Sequence, residues 1–150
     1  MPETDTDQLV KTLIESPENH CFVCSPTNPL GLRLRFERDG EAVRAEFVPG
    51  HWHVGWAGVV HGGILSSVLD EAMAYCLFFA GLKGVTARMH IRYRAPVRQS
   101  DHLLVKAEIK RDTRRLADIE ACILRDGQVV AEGAGCFMKL GKLDRDSLRL

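Results

Sequence analysis

The stretch Ile64 to Ala80 constrains this chain more than any other. It is apolar on nearly every side: Ile64, Leu65, Val68, Leu69, Ala72, Met73, Ala74, Leu77, Phe78 and Phe79. A helix that is hydrophobic all round is either wrapped by protein or set in a membrane. Asp70 and Glu71 stand in its middle, and two charges at the centre of a spanning helix are costly. The spacing therefore predicts a helix enclosed by its own fold, with an acid held where ionisation is expensive. A buried carboxylate without a cation is a candidate functional group. His61-Gly62-Gly63 immediately precedes the run, so glycines stand where the helix should begin.

The rest of the chain supplies the wrapping. Leu9, Val10, Leu13 and Ile14 fall at helical spacing between Asp5 and Ser16, and Pro17 stops that helix. Cys21 to Leu30 reads as a loop broken by Pro26 and Pro29. Leu32, Leu34 and Phe36 alternate with charged residues and predict a half-buried strand. Asp39-Gly40 is a hairpin signal, with Val43, Ala45 and Phe47 on the returning strand. After the long helix, which Gly81 and Gly84 end, strands are predicted over Val85 to Ala95, His102 to Arg111, Leu116 to Leu124 and Gln128 to Leu140. On the first of these, Ala87, Met89, Ile91 and Tyr93 share one face and Arg88, His90, Arg92 and Arg94 the other. The economical solution is an α+β fold in which one antiparallel sheet curls around one long central helix. The expected organisation is a lead-in helix over residues 1–20, a single domain over 21–140 and a loose charged tail over 141–150.

Composition removes several classes of function. Twenty basic residues balance twenty acidic ones for a net charge of +0, so no nucleic-acid partner is expected. Five scattered Cys argue against a disulfide scaffold and for a reducing compartment. The start, Met1-Pro2-Glu3-Thr4-Asp5, is acidic rather than signal-like. The cytoplasm is the expected location, with no membrane partner. Cys21-Phe22-Val23-Cys24 is a single CxxC. Zinc needs about four ligands, and only His20, His51 and His53 are at hand to complete a set, so no metal is expected.

His61-Gly62-Gly63, Asp70-Glu71-Ala72, Thr86 and Tyr93-Arg94-Ala95-Pro96 together resemble the hotdog-fold acyl-CoA thioesterases, in particular the phenylacetate-pathway type. The resemblance covers residues 21–140. It implies hydrolysis of acyl-CoA to free acid and coenzyme A at a pocket between subunits of a homodimer or homotetramer, so that Gly62 and Asp70 can serve one site from different chains. The Gly62 N–H would hold the thioester carbonyl oxygen, Asp70 would serve as general base or nucleophile, and Thr86 would position water or the carboxylate. His61 and Gly63 would shape the substrate site. Where relatives often carry Asn or Gln in the loop before the His, this chain has Gly55, with His53 nearby. Arg92, Arg94, Arg114 and Arg115 are the candidates for the phosphates of coenzyme A, since guanidinium groups pair well with phosphate. No cofactor is expected, because the thiolate of coenzyme A already leaves readily.

The residue types suit that chemistry. A helix N-terminus offers unpaired N–H donors and a positive dipole end to a developing oxyanion, and glycine admits close approach. Asp70 and Glu71 point about 100° apart on a helix. Ser66, Ser67 and Asp70 share a polar stripe, which assigns Asp70 to the pocket and leaves Glu71 to an arginine or a backbone donor. Two rivals share the fold: an enoyl-thioester hydratase or dehydratase using a His with the acid, and a non-catalytic acyl-CoA-binding module. Trp52 and Trp56 are expected in the pocket or at a subunit contact.

Overall fold

The computed structural model describes residues 2–149. Two α-helices and six strands follow in the order α1 (Asp5–Glu15), β1 (Glu37–Asp39), β2 (Ala42–Phe47), α2 (Gly62–Phe79), β3 (Leu82–Tyr93), β4 (Leu103–Asp112), β5 (Leu116–Arg125) and β6 (Gln128–Lys142). The strands form one six-stranded sheet in the order β1-β2-β4-β5-β6-β3, with every pairing antiparallel. The chain leaves α2 and runs along the far edge as β3 before returning to the middle of the sheet. This is the hotdog fold, with α2 as the filling.

The sheet encloses α2 because one side of it accepts a helix at close range. Val68, Leu69, Ala72, Met73 and Leu77 are 0% exposed, so the apolar run that resembles a spanning segment is spent on the core. On β6 the helix-facing positions include Gly133 and Gly135. A Cβ at Gly133 would come within 2.6 Å of Ile91 Cδ1, and one at Gly135 within 3.0 Å of Met73 Sδ. A side chain at Gly135 would press on Met73 of α2, whereas one at Gly133 would press on Ile91 of the neighbouring strand. Tyr75 stacks on Phe36 with ring centroids 4.6 Å apart.

The ends of the helices are fastened. Thr4 and Asp7 form a reciprocal capping box on α1, each bond 3.1 Å. Arg38 of β1 donates to Asp7 Oδ1 at 2.8 Å and to the Phe79 carbonyl at 2.7 Å. One guanidinium thus joins α1, the sheet edge and the last turn of α2, where a cation opposes the negative end of the helix dipole. The turn between β5 and β6 holds Asp126 at φ 51° and Gly127 at φ 78°, both left-handed, as the Asp-Gly hairpin signal requires.

Two local expectations are corrected. The strand predicted over Leu32 to Phe36 does not join the sheet; β1 begins at Glu37. Leu34 and Phe36 are buried in alternation as the pattern implies. The backbone of this segment instead bonds the preceding loop, Leu32 N–H to the Phe22 carbonyl at 2.8 Å and Leu34 N–H to the Val23 carbonyl at 2.9 Å. Arg33 sits at φ 56°, which breaks the extended run. At the other end, β6 runs on through Gly141 to Lys142. Beyond it Arg149 pairs with Glu18 at 3.0 Å, and Leu143 packs against the core.

Because Leu69 is fully enclosed, Leu69→Ala should lower the unfolding free energy by about 3 kcal/mol. Denaturant unfolding at fixed protein concentration measures it. A loss below about 1 kcal/mol would mean that the site collapses onto the gap and is not tightly packed.

Candidate functional site

The first turn of α2 leaves one backbone donor unspent. His61 is the N-cap, and its Nδ1 accepts the Gly63 N–H at 2.9 Å. An Nδ1 that accepts carries no proton, so the ring N–H lies on Nε2. The Ile64 N–H closes onto the His61 carbonyl at 2.9 Å, and the Leu65 N–H onto the same oxygen at 3.3 Å. The Gly62 N–H has no acceptor among the described residues. Of the donors exposed where a helix begins, it alone stays available.

The next peptide unit, between Gly62 and Gly63, is pinned at both ends. The Tyr93 hydroxyl donates to the Gly62 carbonyl at 2.9 Å and meets Ser66 Oγ at 2.5 Å. The phenol has one proton, so Ser66 is the donor in the second bond. A Cβ at Gly62 would come within 3.3 Å of the Tyr93 ring, and one at Gly63 within 3.0 Å of His61 Nδ1. Both glycines are therefore held by close neighbours. Tyr93 and Ser66 were not among the expected site residues. Their sequence signals are the Tyr93-Arg94-Ala95-Pro96 motif and the polar stripe of Ser66, Ser67 and Asp70, neither of which joins the two residues to each other.

Two turns further along α2, Asp70 Oδ1 accepts from Thr86 Oγ1 at 2.6 Å. Strict alternation would place Thr86 with Arg88 and His90 on the outer face. The register of β3 on β6 shifts between Thr86 and Arg88, from Thr86 opposite Phe137 to Arg88 opposite Cys136. This bulge turns Thr86 inward to meet Asp70. Asp70 is partly exposed and forms no ion pair among the described residues. The expectation that the acid facing the site is also the deeply enclosed one needs revision. The enclosed carboxylate is its neighbour Glu71, which burial pushes up to about 8. Glu71 meets no arginine; its Oε1 accepts from Cys21 Sγ at 3.4 Å.

The remaining candidates lie apart from this group. Arg92 is on the sheet face away from α2, in a groove of about 680 Å³ with His90, Lys106, Glu108, Glu120 and Glu132. Arg94 pairs with Glu132 at 2.5 Å. Arg114 and Arg115 are exposed in the β4–β5 turn, and the register Thr86–Phe137–Ala117 puts that turn at the Thr86 end of the sheet. A second groove, of about 690 Å³, lies between α1 and the segment 33–40. Neither groove borders Gly62, Asp70 or Thr86. Within one chain those three line an open surface. His53 accepts the Gly50 N–H on Nδ1 at 2.9 Å, and burial holds it below the ordinary imidazole range. A side chain at Gly55 would press on His61 at 3.3 Å. Trp52 and Trp56 are 89% and 93% exposed on the loop that leads to Gly62.

Tyr93→Phe removes the bond that fixes the Gly62 carbonyl. It should lower the unfolding free energy by about 1 kcal/mol. An unchanged denaturation midpoint at unchanged slope would contradict the role assigned to the phenol.

The chain and its fold are similar to known proteins. A profile of the thioesterase superfamily fits residues 57–132. A crystal structure of a thioesterase-superfamily protein superposes with a TM-score of 0.75 at 26% identity, over 79% of this chain and 60% of that one. A hypothetical thioesterase of Streptococcus pneumoniae, solved with coenzyme A, gives 0.70 at 24% identity over 74% and 91%. That protein has also been solved with an aspartate, and separately a threonine sixteen residues further on, replaced by alanine. The PaaI protein of the Escherichia coli phenylacetic acid degradation operon gives 0.69 at 21% over 74% and 82%. Among curated sequences, component 3 of the MIOREX complex of Saccharomyces cerevisiae is 37% identical over 65 residues, which is 42% of this chain and 24% of the yeast protein. The match thus spans about a quarter of that relative's length. The profile covers half of the chain and includes the start of α2, Asp70 and Thr86; the chain belongs to the thioesterase superfamily.

Proposed function

We propose that this protein hydrolyses acyl-CoA thioesters. The observations that carry the reading are the unspent Gly62 N–H on a helix whose other first-turn donors are taken, and Asp70 bound to Thr86 further along that helix; about 12 Å separates them along the helix axis, so in this reading Gly62 of one copy and Asp70 of its partner serve one site. In this reading the thioester oxygen accepts from Gly62, and the positive end of the α2 dipole stabilises the charge that develops there. Asp70 either takes a proton from water as it attacks the carbonyl carbon, or attacks directly to form a mixed anhydride that water then cleaves to free acid and the restored carboxylate. The electron pair of the breaking C–S bond leaves on the coenzyme A sulfur. The Thr86 hydroxyl holds one carboxylate oxygen, so the other faces the reacting centre.

The spacing supports the assignment. Asp70 and Thr86 are sixteen residues apart, the same separation as the aspartate and threonine replaced in the pneumococcal protein. Arg114 and Arg115, exposed at the Thr86 end of the sheet, are the groups proposed for the phosphates of coenzyme A. Arg92 is free of carboxylate partners among the described residues, whereas Arg94 is engaged by Glu132.

The reading includes a second copy of the chain. The site is open on one side, and β3 is an edge strand of twelve residues. An edge of that length is a template for pairing. A two-fold partner along β3 would continue the sheet and cover the surface around Gly62 and Asp70. Trp52 and Trp56 are exposed on the loop that leads to Gly62, as expected of an interaction surface.

Asp70→Asn keeps the shape of the side chain and removes its basicity. Thiol release from a panel of short, medium, long and aromatic acyl-CoAs should fall by roughly 10²–10⁴ on whichever substrate the native protein turns over. Full retained activity would remove Asp70 from the mechanism. Loss of enoyl-CoA absorbance without thiol release would replace hydrolysis by hydration.

A further inference from the structure

We infer that Cys21, Cys24 and Glu71 form a binding site for a zinc-class divalent cation, tying the loop after α1 to the middle of α2. Their ligand atoms all lie within 4.8 Å of one another. Cys21 Sγ is 3.4 Å from Glu71 Oε1. Around a tetrahedral zinc, bonds of about 2.3 Å to sulfur and about 2.0–2.2 Å to oxygen place those two atoms roughly 3.5 Å apart. The third ligand comes from fifty residues away in sequence, so a reading restricted to a lone CxxC finds the ligand set incomplete.

The surroundings suit a metal more than they suit three free acids. The Cys24 N–H donates to Cys21 Sγ at 3.4 Å, and Asn19 Nδ2 reaches Cys24 Sγ at 3.9 Å. Outer bonds of this kind orient metal thiolates. No Lys, Arg or His forms an ion pair with Glu71 among the described residues, and its bonded partner is a thiol. Three groups that each become anionic thus converge with no positive charge to balance them. Two thiolates favour a soft cation over magnesium or calcium. Cys24 is buried and Glu71 is enclosed, while Cys21 keeps partial exposure; a water reaching the cluster on the Cys21 side would complete the set as fourth ligand, the pattern of sites that keep a free position. Binding releases the protons of both thiols and the carboxyl to solvent. The inference does not depend on thioester hydrolysis, since Gly62, Asp70 and Thr86 are not among the ligands.

The test uses the full chain, reduced and stripped of metal, titrated with cobalt(II) and then with zinc against a chromophoric chelator. The inference predicts a thiolate-to-cobalt charge-transfer band that saturates at one ion per chain, and a melting temperature raised by zinc and lowered again by chelator. Cys21→Ser should abolish the band. Glu71→Gln should weaken binding by more than the roughly 10–100-fold lost when an outer partner is removed. Cys122→Ser, which alters a thiol on the outer sheet face, should leave the band intact. No saturable band in the reduced native chain, or a band that survives Cys21→Ser, would overturn the inference. Both are read without reference to enzymatic activity.

Discussion

The peptide unit between Gly62 and Gly63 is fixed at both ends, and the candidate site depends on that fact. Tyr93 takes its carbonyl and His61 takes its N–H. The preceding plane, which carries the Gly62 N–H, is held by its own carbonyl, that of His61, which accepts from Ile64 and Leu65. A dipole end and a bare donor then coincide at one point on the surface. The sheet that wraps α2 makes this possible, because Tyr93 arrives from the last residue of β3. The enclosed face of the helix and the open tip of the helix are two results of one packing arrangement.

Asp70 and Glu71 are adjacent in sequence and belong to different chemical settings. One is bound by a hydroxyl two turns along the helix from the free backbone donor; the other is turned toward two thiols beneath the loop after α1. The roughly 100° between successive helical side chains suffices to separate them. Desolvation acts on Glu71, whose carboxyl is pushed up to about 8, while Asp70 keeps access to solvent. A residue that works on a substrate must be reachable, so the more perturbed acid is not by that token the catalytic one.

Much of the fold was legible in the chain. The apolar run of α2, the period-two alternation of β3 to β6 and the Asp-Gly turn at 126–127 each specify their element locally. What local pattern cannot carry is pairing. Leu34 and Phe36 alternate as a strand does, yet their backbone bonds the 22–23 loop in place of the sheet, a choice made by tertiary contact. The same holds in the site. Gly62, Asp70 and the cap at His61 follow from helix geometry, whereas Thr86 reaches Asp70 through a bulge that strict alternation does not contain. The convergence of Cys21 and Cys24 on Glu71 spans fifty residues, and no spacing rule connects them. Trp52 and Trp56 read as packing residues from their type, and in a single chain they face solvent.

The most direct test of the account is the amide proton of Gly62 itself. With the glycines labelled with nitrogen-15, a non-hydrolysable acyl-CoA analogue that keeps the carbonyl should shift the Gly62 amide strongly downfield as it gains an acceptor. The Gly63 amide, already bonded to His61, should move little. A Gly62 resonance unchanged at saturation, or a larger displacement at Gly63, would contradict the claim that this one donor is held open for the substrate.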